Sequence, residues 1–234
     1  MRNPDFYRSL DIIDFHRSPE SEGRQLARLL EKQAHRYLLL EAQEFKSFEA
    51  LMGGLSGVVA IRNKDSSSNG EPLYAPELHI SCHGCGDGIL WRDGSLISWR
   101  QLRFALRRYS ATVGLVWGPQ QNGALMQTTS LLSLGLSCCY GSQAAKEFFR
   151  SEPYPVGGFM APNRSIYDAD CADFFLRLYE LQEKEDPWNV PEKVSRLMME
   201  KPLFGPEGTV QMECFHPNFS PNASWSASSA EHNE

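Results

Sequence analysis

The ten residues SLLSLGLSCC (130–139) constrain the fold of this chain more than any other stretch. They form a continuous apolar run broken only by small residues. A strand in the middle of a parallel sheet, covered on both faces, needs that composition. It ends in Cys138-Cys139-Tyr140-Gly141, and shorter apolar runs alternate with amphipathic segments on both sides of it.

SLDIIDF (Ser9–Phe15) reads as a short buried strand. Ser18-Pro19-Glu20 opens a helix, since proline suits an early helical position, and Leu26, Leu29 and Leu30 then share one face. YLLLEAQEF is expected to be a strand and FKSFEALMGGLSGVVAI a helix. RNKDSSSNGEPLYAP, rich in Ser, Asn, Gly and Pro, reads as a loop. ELHISC is a strand, and GILWRDGSLI a small hairpin turning at Asp93-Gly94. SWRQLRFALRRYS is amphipathic: Leu102, Ala105, Leu106 and Tyr109 share a face, Ser98 is the N-cap, and the arginines form a mostly solvated face. LVWGPQQNGALMQTT carries no decisive pattern.

Gly141-Ser142 opens the helix SQAAKEFFRS, and YPVGGFMAPN is a further short strand. DADCADFFLRLYELQEKE is a helix with Phe174, Leu178 and Leu181 on one face, and VPEKVSRLMMEK is another. Past about Gly205 the pattern fades into a polar, low-complexity tail. Strands alternating with helices imply one α/β domain with a largely parallel sheet. Its expected extent is residues 1–204, with 205–234 as a flexible extension.

The 234 residues suffice for one sizeable core, and a net charge of -6 argues against a general nucleic-acid binder. No window reaches the ~18 apolar residues of a membrane span, and MRNPDFYRSLDIIDF has no secretory core. A cytoplasmic protein with no nucleic-acid or membrane partner is expected. The six cysteines, Cys82, Cys85, Cys138, Cys139, Cys171 and Cys214, are then reduced thiols rather than a disulfide scaffold.

Chemistry in open α/β sheets collects at the carboxyl ends of strands. Two such ends carry reactive side chains close to glycine: His83-Gly84 after ELHISC, and Cys139-Tyr140-Gly141 after the central run. His83 precedes Cys139 by 56 positions. A caspase signature places its histidine about 50 residues before the cysteine. A thiol needs a neighbouring base, or a shifted ionisation, to act as a nucleophile at neutral pH. His83 is suited to be that base. The N–H groups of Gly84 and Cys139 are candidates for holding an oxyanion.

These motifs resemble the caspase-like cysteine peptidases of the clostripain and caspase clan, most of all the bacterial CHAT family. LHISCHGCGDGILWRDGSLISWRQL is similar to that family's strand, His-Gly, hairpin and helix. LSCCYGS is similar to its cysteine motif, with Gly141-Ser142 where the family has Ser-Gly. SIYDADCADFFLRLYELQEKE is similar to a later segment with Asp near a helix start. The resemblance spans about Leu10 to Met199. It implies a caspase-like three-layer sandwich with helices on both faces of the sheet. It also implies an endopeptidase with a His83–Cys139 dyad, no third acid and no cofactor. Its partner would be a protein substrate, encoded nearby or in the same assembly, with a regulatory protein partner besides. Asp87, Asp168 and Asp170 would then be acids of a substrate pocket selecting Arg or Lys; their plainer reading for Asp168 and Asp170 is helix capping.

Two other classes stay open. The moved glycine after Cys139 allows an inactive caspase-like interaction module. Cys82 and Cys85 form a C-x-x-C, which would suit a zinc or redox site; a structural zinc normally uses a second knuckle, and a redox pair a helix N-terminus. Cys82 and Cys138 read as core packing, and Cys85 as part of the rim of the site.

Overall fold

The structure is a computed structural model that describes residues 8–16, 18–32, 37–68, 75–112, 132–151, 153–184 and 190–216. In chain order the elements are β1 (Arg8–Asp14), α1 (Glu22–Lys32), β2 (Tyr37–Glu41), α2 (Phe48–Ser68) and β3 (Ala75–Ser81). Then come β4 (Gly84–Cys85), β5 (Gly88–Leu90), β6 (Leu96–Ser98), α3 (Trp99–Thr112) and β7 (Ser133–Ser137). α4 (Ala145–Phe148), β8 (Gly158–Pro162), α5 (Asp168–Lys184) and α6 (Val190–Glu200) follow. The last are β9 (Leu203–Gly205), β10 (Gly208–Val210) and β11 (Met212–Phe215).

Six strands form one sheet in the order β11-β8-β7-β3-β1-β2. Its first five strands in sequence, β1, β2, β3, β7 and β8, run parallel, and β11 is antiparallel to β8. The central apolar run is β7, between β3 and β8, as its composition requires.

Side-chain alternation makes two cores from one sheet. Along β1, Ile13 and Phe15 join the layer with Leu51 and Leu55 of α2 and Leu102 and Leu106 of α3. Leu10 and Ile12 join the opposite layer with Leu26 and Leu30 of α1, Phe175 and Leu178 of α5 and Leu197 of α6. Each fully buried leucine here is worth about 1.5–3 kcal/mol relative to exposure. The molecule is the expected α/β three-layer sandwich.

Local signals explain the elements around the site. The β5–β6 hairpin turns at Asp93-Gly94: Gly94 has φ +85°, and Asp93 Oδ1 accepts the Ser95 N–H at 2.9 Å. Ser98 caps α3 by accepting the Gln101 N–H, and Gln101 Oε1 returns the bond to the Ser98 N–H at 2.8 Å.

Three expectations are corrected. First, α2 continues to Ser68, into the first part of the segment read as loop from its composition; residues 69–74 of that segment lie outside the described residues. The helix carries Arg62, which grips the buried Asp11 of β1 with two bonds, 2.8 and 2.9 Å long. Second, residues 205–215 are not a flexible extension. They complete the β9–β10 hairpin and supply β11, with Val210 and Met212 buried. Third, Arg103 departs from the solvated arginine face: it is buried and donates to the Ser151 carbonyl and hydroxyl. The polar tail from 217 onward and the unassigned run LVWGPQQNGALMQTT lie outside the described residues.

Candidate active site

β1 leads outward to β2, whereas β3 leads inward to β7. The carboxyl ends of β1 and β3 therefore diverge, leaving the crevice in which such sheets bind ligands. His16 follows β1, His83 follows β3, Cys139 follows β7, and the β8–α5 loop (163–167) closes the far side.

Cys139 is half-buried at the end of β7. The Ile166 N–H and the Ser165 hydroxyl both point at its sulfur from 3.5 Å. Tyr140, the next residue, has φ 57°, the one non-glycine residue with positive φ among those described. Such a conformation is costly without a side-chain need, and it turns the chain sharply just after the thiol. The Tyr140 N–H is held by the Arg164 carbonyl at 3.1 Å. Among the described residues the Cys139 N–H meets no backbone acceptor.

His83 is exposed. Its neighbour Gly84 packs directly on the cysteine turn: a Cβ there would stand 2.4 Å from the Cys139 carbonyl oxygen and 3.0 Å from Cys138 Sγ. Only glycine allows that approach. Gly84, next to His83 in the chain, thus lies in contact with the Cys138-Cys139 turn. Gly141 has its own packing reason, since a Cβ there would lie 2.8 Å from Ala161 Cβ.

The paired cysteines separate as strand alternation predicts. Cys138 is buried in the α2–α3 layer, while Cys139 packs against the α1–α5 layer. Cys82 is buried beside Cys138, and Cys85 is half-buried on β4. Burial pushes the Cys138 and Cys171 thiols well above the ordinary range.

A cavity of about 260 Å³ opens beside Cys139. Of the three acids expected in a pocket, Asp168 lines it. Asp170 is 3.9 Å from Lys201, and Asp87, on the β4–β5 turn, is exposed; neither lines the cavity. Glu20 and Glu22 line it instead, together with His16. The sequence signal for these was positional: they follow the apolar run of β1, the strand next to β3.

Glu22 is the floor. It is buried at the start of α1, and its Oε2 accepts hydroxyl bonds from Ser81 on β3 and Ser137 on β7. Its Oε1 lies 3.3 Å from His79 Nε2, without the alignment of a hydrogen bond. His79 Nδ1 shares a hydrogen bond with the Tyr179 hydroxyl at 3.1 Å. Gly135 on β7 leaves room for that pair, because a Cβ would lie 2.6 Å from the Tyr179 oxygen.

His16 is the further residue at the mouth. Its ring meets that of His83 edge-on, with centroids 4.7 Å apart at 85°. One ligand atom each from His16, His83 and Asp168 lies within 4.8 Å of the others. Among the described residues this is the group that could hold a metal ion, and neither Cys82 nor Cys85 belongs to it. No helix among them is long and apolar enough to cross a membrane. Against known proteins, no family model and no curated protein matches the chain.

Proposed function

We propose that this chain is a cysteine endopeptidase of the caspase-like kind, similar to the CHAT family, acting on a protein substrate. The observation that carries the reading is the packing of Gly84, the residue after His83, against the Cys138-Cys139 turn at one end of the sheet, with the Cys139 thiol beside a cavity. A histidine and a cysteine presented from adjacent parallel strands supply base and nucleophile.

The chemistry follows from those groups. His83 takes the Cys139 proton as the sulfur attacks the peptide carbonyl carbon. The new C–S bond pushes the carbonyl electron pair onto oxygen, where the Gly84 and Cys139 N–H groups receive it. Collapse breaks the C–N bond, and His83 passes its proton to the leaving amine. Water then attacks the thioester, giving a proton to His83, and the sulfur leaves and recovers it.

Glu20, Glu22 and Asp168 line the cavity, and among the described residues no lysine or arginine does so. That polarity suits a cationic side chain before the cut bond, Arg or Lys. Asp168 is thus kept as a pocket acid, and Glu22 takes the deeper place.

A peptide-library digest read by mass spectrometry tests the reading. Wild type is expected to cut after Arg or Lys, and Cys139→Ala to cut nothing. Equal product patterns from both, with Cys139 alkylated no faster than Cys214 at neutral pH, would leave an interaction module as the better account.

A further inference from the structure

Two imidazoles and a carboxylate meet at one end of the sheet, contributed by three separate elements; His16 and Asp168 line the cavity, and His83 stands beside them. His16 follows β1, His83 follows β3, and Asp168 opens α5. Their ligand atoms lie within 4.8 Å of one another. Zinc held at about 2.0–2.2 Å in a tetrahedron keeps its ligands about 3.4 Å apart, so small side-chain rotations close this group.

The supports are already fixed. The His16 N–H donates to Asp14 Oδ1 at 2.9 Å, and Gln43 Nε2 donates to the His16 carbonyl at 2.9 Å. The His83 carbonyl accepts the Leu90 N–H at 2.9 Å. Asp168 sits in the first turn of a seventeen-residue helix. Among the described residues, neither imidazole and no oxygen of the Asp168 carboxylate makes a side-chain hydrogen bond or salt bridge. The backbone is anchored, and the ligand atoms carry no competing side-chain bond.

We infer that His16, His83 and Asp168 form a binding site for a zinc-type transition-metal dication, and that filling it withdraws His83 from its role as base. Two nitrogens and one oxygen suit zinc and its neighbours rather than calcium or magnesium, which take oxygen ligands. Three protein ligands leave the fourth position to water. The inhibitory half rests on the peptidase reading; the binding half does not. A bound metal also covers Asp168, so it excludes a cationic substrate side chain as well as the base.

The test uses the full chain, stripped by a chelator and titrated with Co²⁺ by visible absorption and with Zn²⁺ against a chromophoric chelator. One equivalent is expected to bind. His16→Ala and Asp168→Asn, each checked for native circular dichroism, are each expected to weaken binding by more than about tenfold. Cys139→Ala is expected to bind as wild type does. Absence of one-equivalent binding, unchanged binding in the first two variants, or loss in Cys139→Ala overturns the site; the last result would put the metal on the cysteine.

Cleavage is then compared within each variant, chelated against zinc-loaded. Wild type should be silenced by zinc, and His16→Ala should show a ratio near one. If zinc binds but the loaded protein cleaves at the chelated rate, the inhibitory half fails. If zinc binds and neither form cleaves, the peptidase reading fails and the metal site stands. If the protein cleaves and no zinc binds, the reverse holds.

Discussion

Gly84 and Cys139 touch through the main chain: the space where a side chain at 84 would begin lies 2.4 Å from the Cys139 carbonyl oxygen. The contact couples the end of β3 to the end of β7 with no flexible side chain between them. Gly84→Ala must move one backbone past the other. It is expected to cost about 1–3 kcal/mol in urea unfolding, as overpacking does. It is also expected to cut peptide cleavage more than that loss of folded protein explains. Wild-type cleavage in a stably folded Gly84→Ala protein would remove the importance of this contact.

Glu22 joins helix α1 to two strands through Ser81 and Ser137, beside the buried His79. Removing the carboxyl strands the buried Ser81 and Ser137 hydroxyls. Glu22→Ala is expected to lose about 1–3 kcal/mol, the range for a buried polar group left unsatisfied. Glu22→Gln, which keeps one acceptor oxygen, should lose less. Equal midpoints for all three proteins in denaturant would contradict the network.

Burial raises the Asp14 carboxyl above its ordinary 3.8, against the Ser21 hydroxyl and the His16 N–H, with nearby Glu22 adding to the rise. Folding therefore favours the protonated form. That contribution is full below that ordinary value of 3.8 and is lost as pH rises through the higher native value. Asp14→Asn does not titrate, yet it can still accept from the His16 amide and donate to Ser21. Its stability relative to wild type should climb with pH across that window. Parallel stability curves from pH 4 to pH 7 would refute the assignment.

Burial pushes the Cys214 thiol up to about 12. An ordinary thiol, near 8.5, is mostly ionised at about pH 9.5, whereas Cys214 is not. Iodoacetamide at that pH should leave Cys214, Cys138 and Cys171 unmodified in folded protein and label them in urea. Prompt labelling of Cys214 without denaturant would show that its site opens.

A chain ending at residue 204 lacks β10 and β11, and so uncovers the β8 edge and the core places of Val210 and Met212. It is expected to be insoluble or to melt well below the full chain. An unchanged melting temperature would restore the boundary read from the sequence.

The strand and helix pattern was legible because burial repeats with a period. β7, the β5–β6 hairpin and the Ser98 cap each follow from local chemistry. β11 was not legible: MECF is short and of mixed polarity, and its partner β8 lies some fifty positions earlier. The tail of α2 misled for a related reason. Its composition suits a loop, and the contact of Arg62 with Asp11 spans 51 positions.

At the site, motif order singled out His83, Gly84 and Cys139, and the structure packs their segments together. His16 and Glu22 carry no motif. They became visible once β1 lay beside β3 and α1 lay across both. The sequence by itself determined the two-sided burial of the sheet, because apolar periodicity is a local record of which faces exclude water. Tertiary structure alone decided which strand ends meet, since proximity between residues far apart in the chain is set by sheet order and leaves no local trace.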